Sequence, residues 1–337
     1  MRTALLLVAA LLSSGCISAL ANDVPDPTQG QAPAGPGAGS AAAHGPAQRT
    51  ESPVTVTLGP DGYVAAKDVT VRNDFGGAGA ARLTLATLNG AIKAAAWGQG
   101  GYQLAAHLEG RGRTEQEARA ALNTLTVLNQ DTLTASRLDI GLQVRFGDPP
   151  APLPVQPPVP LPQVNTLQRS ASIVASLPAA PAEDLRAETT NGAVHVDGLH
   201  GPGLQVKSTN GALHIEGAWD VAKLSTTNGA LHLAGLFNDL DADTTNGAIH
   251  ATIESQRTCK QTLGTTNGSI HLDVKDGGHG SAIEGDTTNG RVTIDVAGAH
   301  AAGKDRQEAR TPGFSSEAVQ VTLTAESTNG NIAVKSA

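Results

Sequence analysis

From Val54 onward, apolar and polar side chains alternate with a period of two, the pattern of strands that bury one face. Within that alternation one phrase keeps returning. It reads Thr189-Thr190-Asn191-Gly192-Ala193-Val194-His195-Val196, then Ser208-Thr209-Asn210-Gly211-Ala212-Leu213-His214-Ile215, then Thr226-Thr227-Asn228-Gly229-Ala230-Leu231-His232-Leu233. Further copies carry Asn246-Gly247, Asn267-Gly268 and Asn289-Gly290. An outlying copy carries Asn329-Gly330, and a weaker one sits early at Asn89-Gly90. The steps from Asn191 onward are 19, 18, 18, 21, 22 and 40 residues. A fixed phrase at a period near twenty predicts stacked repeats.

Aligned on Asn, the side chains sort into columns. Four before Asn stand Ala187, Val206, Leu224, Ala242, Leu263, Gly285 and Ala325. Three after stand Val194, Leu213, Leu231, Ile249, Ile270, Val292 and Ile332, and five after stand Val196, Ile215, Leu233, Ala251, Leu272, Ile294 and Val334. Strand side chains alternate faces, so these columns point inward, each residue stacking on its counterpart about 4.8 Å away. The Ser or Thr two before Asn is small, points the same way and can bond backbone near the corner. Asn-Gly supplies the corner itself, with glycine expected at positive φ and Asn tolerating the left-handed region. Asn-Gly between alternating strands is also a hairpin signal, which would give an antiparallel meander. Every copy keeps the same phase, however, and that favours rungs stacked in parallel with the Asn amides in a ladder. The expected fold is all-β: a parallel β-solenoid of about 18–22-residue rungs with one short helix in its N-terminal half.

The segments outside the repeats read as follows. Residues 1–21 form a secretion signal, with Arg2 before an apolar run at 4–12 that is too short to span a bilayer. Leu12-Ser13-Ser14-Gly15-Cys16 resembles a bacterial lipoprotein signal, which makes Cys16 the lipidated residue; the rival is cleavage after Ala19-Leu20-Ala21. Residues 22–53 are Pro, Gly, Ala and Ser with few apolar side chains, expected to be a disordered tether. Residues 54–148 form a strand-rich part. Thr114-Glu115-Gln116-Glu117 reads as a capping box opening a helix near 115–123. Strands at 125–128 and 132–136 follow around a turn at Asn129-Gln130-Asp131, and then one long strand runs through Leu138, Ile140, Leu142, Val144 and Phe146. Residues 149–163 are a Pro-rich insert that cannot donate to a ladder, and 164–337 carry the repeats.

Composition narrows the core and the partners. Aromatic residues make up only 2%, so the core is a narrow one of Val, Ile, Leu and Ala. The net charge is −8 with 31 acids against 23 bases, and loss of Arg2 with the leader makes it −9. An acidic chain with so few aromatics lacks the basic footprint and stacking platforms of nucleic-acid binding, which is excluded. Cys16 and Cys259 are the two cysteines, so acylation or removal of Cys16 leaves no intrachain disulfide.

The phrase Thr-Thr-Asn-Gly-x-(Val/Ile/Leu)-x-(Val/Ile/Leu), with the early Leu88-Asn89-Gly90-Ala91-Ile92 and Ala96-Trp97, resembles a bacterial β-strand-repeat family labelled "putative adhesins", a domain of unknown function. The resemblance covers about 54–337. It implies an extracytoplasmic β-solenoid without an assigned activity. The Pro-rich insert and a charged loop at 299–316 depart from the simple pattern.

Candidate chemistry lies four residues after Asn, where His195, His214, His232, His250 and His271 form an outward column. Neighbouring imidazoles could share a divalent metal, although a single file offers two good ligands per ion where zinc takes three or four. The alternative is a solvated polar stripe copied with its repeat. Protonating all five would stack like charges, so the column is expected to cost stability below about pH 6. Asp239, Asp241 and Asp243 share another outward face beside Lys207 and Lys223, the raw material of a polysaccharide-acting enzyme. Glu188–Lys207 and Arg186–Gln205, though, read as cross-rung pairing, and no nucleophile-elbow, Walker or zincin phrase is present. The reading is a non-enzymatic, lipid-anchored protein of the bacterial cell envelope, a structural or adhesin-like module without a cofactor. Its partners would be the membrane, through the anchor, and an envelope protein or polysaccharide. The alternatives are a metal-binding or pH-sensing protein using the histidine column, and a secreted or periplasmic location.

Overall fold

The structure, a computed structural model, describes residues 45–75, 80–133, 137–147, 168–179, 182–254, 256–275, 280–317 and 319–337. The leader, Cys16, the tether up to residue 44 and the Pro-rich segment 149–163 lie outside the described residues. The N-terminal part holds β1 (Gln48–Glu51), β2 (Thr55–Gly59), β3 (Gly62–Asp74), β4 (Ala80–Ala86), β5 (Ile92–Trp97), β6 (Gly101–Gly112), helix α1 (Glu115–Asn123), β7 (Leu125–Leu133) and β8 (Arg137–Phe146). Next come β9 (Arg169–Pro178), β10 (Ala182–Glu188), β11 (Val194–Lys207), β12 (Leu213–Thr226), β13 (Leu231–Thr244), β14 (Ile249–Glu254), β15 (Cys259–Asn267) and β16 (Ile270–Val274). The chain closes with β17 (Gly280–Thr287), β18 (Val292–Val296), β19 (Ala299–Gly303), β20 (Gln307–Arg310), a 3-10 turn (Phe314–Ser316), β21 (Gln320–Asn329) and β22 (Ile332–Ser336). Among the described residues no helix is long and apolar enough to cross a membrane.

The repeats stack in parallel, as their common phase requires. The strands before Asn pair in the order β8, β4, β10, β11, β12, β13, β15, β21, β17. Those after Asn pair in the order β9, β5, β11, β12, β13, β14, β16, β22, β18. Strands β11, β12 and β13 are each 14 residues long, because each closes one rung and opens the next. The three apolar columns are buried almost without exception between the two rows. Glycine at 285 in that core leaves room for Val292, whose Cγ1 lies 2.5 Å from where a Cβ would stand.

The corner is a double ladder. Each Asn side-chain amide donates to the Asn carbonyl oxygen of the neighbouring rung: Asn191 to Asn89, Asn210 to Asn191 (2.7 Å), Asn228 to Asn210 (2.7 Å), Asn246 to Asn228 (2.8 Å) and Asn267 to Asn246 (2.8 Å). Inside the corner the small hydroxyls donate to a glycine carbonyl one rung back, as in Thr226 Oγ1 to Gly211 O at 2.9 Å. Thr189, Ser208, Thr244 and Thr265 repeat that bond with the oxygens of Gly90, Gly192, Gly229 and Gly247.

One expectation about the corner is corrected. Of the corner glycines only Gly90 has positive φ (153°), and no corner Asn does. Glycine is required for a different reason. A Cβ at Gly192, Gly211, Gly229, Gly247, Gly268, Gly290 or Gly330 would stand 1.8–2.1 Å from the glycine carbonyl oxygen of the adjacent rung. The rungs approach so closely at the corner that no side chain fits between them. The rung order also departs from chain order. Asn329 donates to Asn267 and Asn289 donates to Asn329, both at 2.8 Å, so the last rung of the chain lies between the sixth and seventh copies of the phrase.

Both ends of the stack are closed by antiparallel strands, which remove the exposed parallel edges. At one end β3 pairs with β6 and β6 with β9, while β7 pairs with β8. Helix α1 lies against β6 at Gly110 and Gly112, where the helix comes too close for a side chain; a Cβ on Gly110 would meet Leu122 N at 2.3 Å. Its capping box forms as expected, Thr114 Oγ1 accepting from Glu117 N at 3.2 Å. At the other end β19 pairs with β18 and β20 with β17, so the segment 299–316 is two capping strands and a turn rather than a charged loop.

Three local expectations differ. The turn expected at 129–131 is absent, because β7 runs on to Leu133 with Asn129, Gln130 and Asp131 facing Leu142, Gly141 and Ile140. Residues 48–51, expected in the tether, form β1 on the edge of β3, where Arg49 bonds Val127 O and Asn129 Oδ1. In β2 the alternation does not signify burial: Leu58 is 70% exposed on the outer hairpin.

Candidate functional site

Strand register brings the predicted histidines into one straight row on the outer face of the layer after Asn: His195, His214, His232, His250 and His271, one per rung. The rings stack face to face. Successive centroids are 4.6, 4.6, 5.4 and 5.2 Å apart, and the planes lie within 11° of parallel. Their edges line a shallow groove of about 500 Å³, with Asp197, Glu216, Ala234, Thr252 and Asp273 as the next outward row. Lys93 of β5 stands in register ahead of His195, and Ala333 follows His271. Lys93 was legible in principle, since it lies four after Asn89 as the histidines lie four after theirs.

Stacking sets the electrostatics. Partial burial, followed by the charge of His195, holds His214 below the ordinary imidazole range. Burial and then His214 lower His232, and burial with His271 and His232 lowers His250. These three imidazoles are therefore neutral at neutral pH, each with one N–H donor and one bare nitrogen.

An imidazole offers its lone pair in the ring plane, so near-parallel rings aim theirs side by side rather than at a common point. Among the described residues, no group of three or more His, Cys, Asp and Glu side chains is arranged to hold a metal ion.

The second candidate face behaves differently. Asp241 lies in register with Lys223, and Asp243 with Ser225 and Gly264. The Asp243 Oδ1 reaches over Gly264, 2.3 Å from where a Cβ would stand. Desolvation, and then the charge and hydrogen bond of Asp241 and the charge of Glu326, push the Asp243 carboxyl up to about 6. Asp239 takes another role, its Oδ1 accepting from Lys260 N at 3.3 Å. Arg186 and Gln205 are register partners, as are Glu188 and Lys207, but the ion pair of Arg186 runs along its own strand to Glu188 at 3.3 Å. Cys259 is a buried thiol at the start of β15.

One cluster escaped the sequence reading. His107 Nδ1 lies 2.7 Å from Asp68 Oδ1 and its Nε2 3.3 Å from Glu109 Oε1, while Arg111 reaches Glu109 at 3.2 Å. The Asp68 contact raises the His107 pKa, so this imidazole holds its proton where His214, His232 and His250 shed theirs. The only sequence signal was the alternation of His107, Glu109 and Arg111 along β6; Asp68 comes from β3, 39 residues away.

The sequence model of a family described as Toastrack DUF4097 matches residues 164–335. No curated protein matches the chain. Two of the solved structures that resemble it are described as adhesion proteins. A "putative cell adhesion protein" from Clostridium sporogenes is 10% identical, with 81% of this chain and 100% of that chain covered at a TM-score of 0.32. A "putative adhesin" from Bacteroides fragilis is 13% identical, with 79% and 96% covered at a TM-score of 0.36.

Proposed function

The chain belongs to the Toastrack DUF4097 family, and on that premise we propose that it is a non-enzymatic surface protein of the bacterial cell envelope, docking a partner along its histidine face. One observation carries the reading. The inward columns, the Asn ladder and the corner hydroxyls are all accounted for by the stack, whereas five outward imidazoles held in register along an open groove are not. A flat sheet face with evenly spaced hydrogen-bonding edges suits an extended partner, an envelope protein or a polysaccharide, better than a small molecule, which binds in an enclosed apolar cleft. Acylation at Cys16 would anchor the chain to the membrane.

The test compares retention of the mature protein and of an H214Q/H232Q/H250Q variant on whole envelopes, at neutral and at mildly acidic pH. Retention that falls in the variant supports docking through this face. Equal retention of both proteins, or retention of neither at either pH, removes it. Mass spectrometry of the mature N-terminus decides between an acylated Cys16 and release after Ala21.

A further inference from the structure

The groove over the row reverses its charge as the imidazoles titrate. At neutral pH its lining carries one ammonium, Lys93, and three carboxylates, Asp197, Glu216 and Asp273, a net of −2; protons on His214, His232 and His250 alone bring it to +1. The carboxylates stand at the ends of the row. Strands β13 and β14 present Ala234 and Thr252 beside His232 and His250, so the middle carries no acid. From β22, Lys335 lies 3.5 Å from Asp273 and offsets it. The row on the other side of the histidines is Ala193, Ala212, Ala230, Ala248 and Ser269, which do not titrate.

We infer that this groove binds a linear acidic polysaccharide, taken up together with protons at mildly acidic pH. The inference rests on the docking face proposed above and names its ligand. Three features of the site and one of the ligand select that class. The histidines form a straight file of four steps of 4.6–5.4 Å, so the complementary ligand is a chain lying along the axis rather than a compact anion. The groove lining contains no Phe, Tyr or Trp, so charge-assisted hydrogen bonds, not ring stacking on sugars, must hold the ligand. Stacked imidazolium ions repel one another unless an anion lies over them, which couples loading of the ligand to loading of protons. A stiff glycan also forfeits less freedom on binding than a flexible polyanion. At neutral pH the same groove, with its net negative charge, repels the ligand it takes up in acid.

The probe is polygalacturonate, with uncharged dextran and polyphosphate as comparisons. Affinity for the mature protein is measured by calorimetry at low ionic strength, near about pH 7.5 and about pH 5.5, in two buffers of different ionisation heat so that proton uptake is counted. Binding should be about tenfold or more tighter at the lower pH, with net proton uptake, and H214Q/H232Q/H250Q should lose about tenfold there. D197N/E216Q should bind more tightly at both pH values, a gain that a misfolded variant cannot produce. Equal affinity at the two pH values, indifference to the histidine substitutions, binding of dextran, or binding of polyphosphate without polygalacturonate each overturns the inference. If the histidine variant loses envelope retention while polygalacturonate never binds, the docking face stands and the acidic-glycan ligand falls.

Discussion

Replacing Gly229 by alanine tests why the corner needs glycine. The added methyl would stand 2.1 Å from Gly211 O, 2.5 Å from Gly211 C and 3.0 Å from Ala212 N, against about 3.5 Å for comfortable contact. Relief requires the two rungs to part locally by roughly 1 Å or more. That separation stretches three bonds at once: Asn228 N to Thr209 O (2.8 Å), Asn228 Nδ2 to Asn210 Oδ1 (2.7 Å) and Thr226 Oγ1 to Gly211 O (2.9 Å). Overpacking costs about 1–3 kcal/mol, and each weakened bond up to about 1 kcal/mol. Lower unfolded-chain entropy returns about 0.4–1 kcal/mol. The net expectation is a loss of about 2–4 kcal/mol. Gly98 is the control, since a Cβ there meets nothing within 4 Å and G98A should stay within about 0.5 kcal/mol. Urea unfolding reads both, with amide exchange at Leu231 and Leu213 locating the damage. If G229A unfolds at the same midpoint as G98A, close rung approach is not what selects glycine.

Thr226→Val keeps the shape but leaves Gly211 O without its hydroxyl donor at 2.9 Å, and should cost about 1–2 kcal/mol in urea unfolding. Thr226→Ser should retain most of that stability, as Ser208 and Ser327 make the same bond at 3.0 and 2.9 Å. Because folding lowers the pKa of His214, His232 and His250, the folded chain binds fewer protons than the unfolded one. Their contribution is present above the ordinary imidazole value of 6.5 and lost as pH falls through the lowered values, so H214Q/H232Q/H250Q should flatten the acid side of the melting-temperature profile. Asp243 has the opposite sign. Its carboxyl is raised from 3.8 to about 6, so its contribution is present below 3.8 and lost as pH rises through about 6; D243N should abolish that decline.

Much of the fold was legible because the stack repeats one local rule. The interior columns, the parallel phase, the Asn ladder and the short helix each followed from spacing alone, and the histidine row lies where its column placed it. What escaped depends on groups far apart in the chain. Asn-Gly reads locally as a turn at positive φ, but the constraint on Gly211 is a carbonyl on Gly192, a rung away. The early copy at Asn89 joins the ladder beside Asn191, 102 residues later, and only that places Lys93 at the head of the histidines. The copies at Asn289 and Asn329 carry the same phrase, so pattern alone ranks them by chain order; pairing of β21 and β22 with strands on both sides decides otherwise.

That last arrangement has a kinetic side. From β10 and β11 onward the chain can add rungs in order as far as β15 and β16, but β17 and β18 find their parallel partners only in β21 and β22. The final strand pair is a keystone: until it arrives, the backbone of β15 and β16 is an unpaired parallel edge, and the closing strands β19 and β20 have nothing to close. The phrase at 287–294 precedes in the chain the copy at 327–334 that holds this edge, and carries the same pattern. Folding therefore closes on the last strand pair, and until then the open edge is equally suited to the keystone of a second copy.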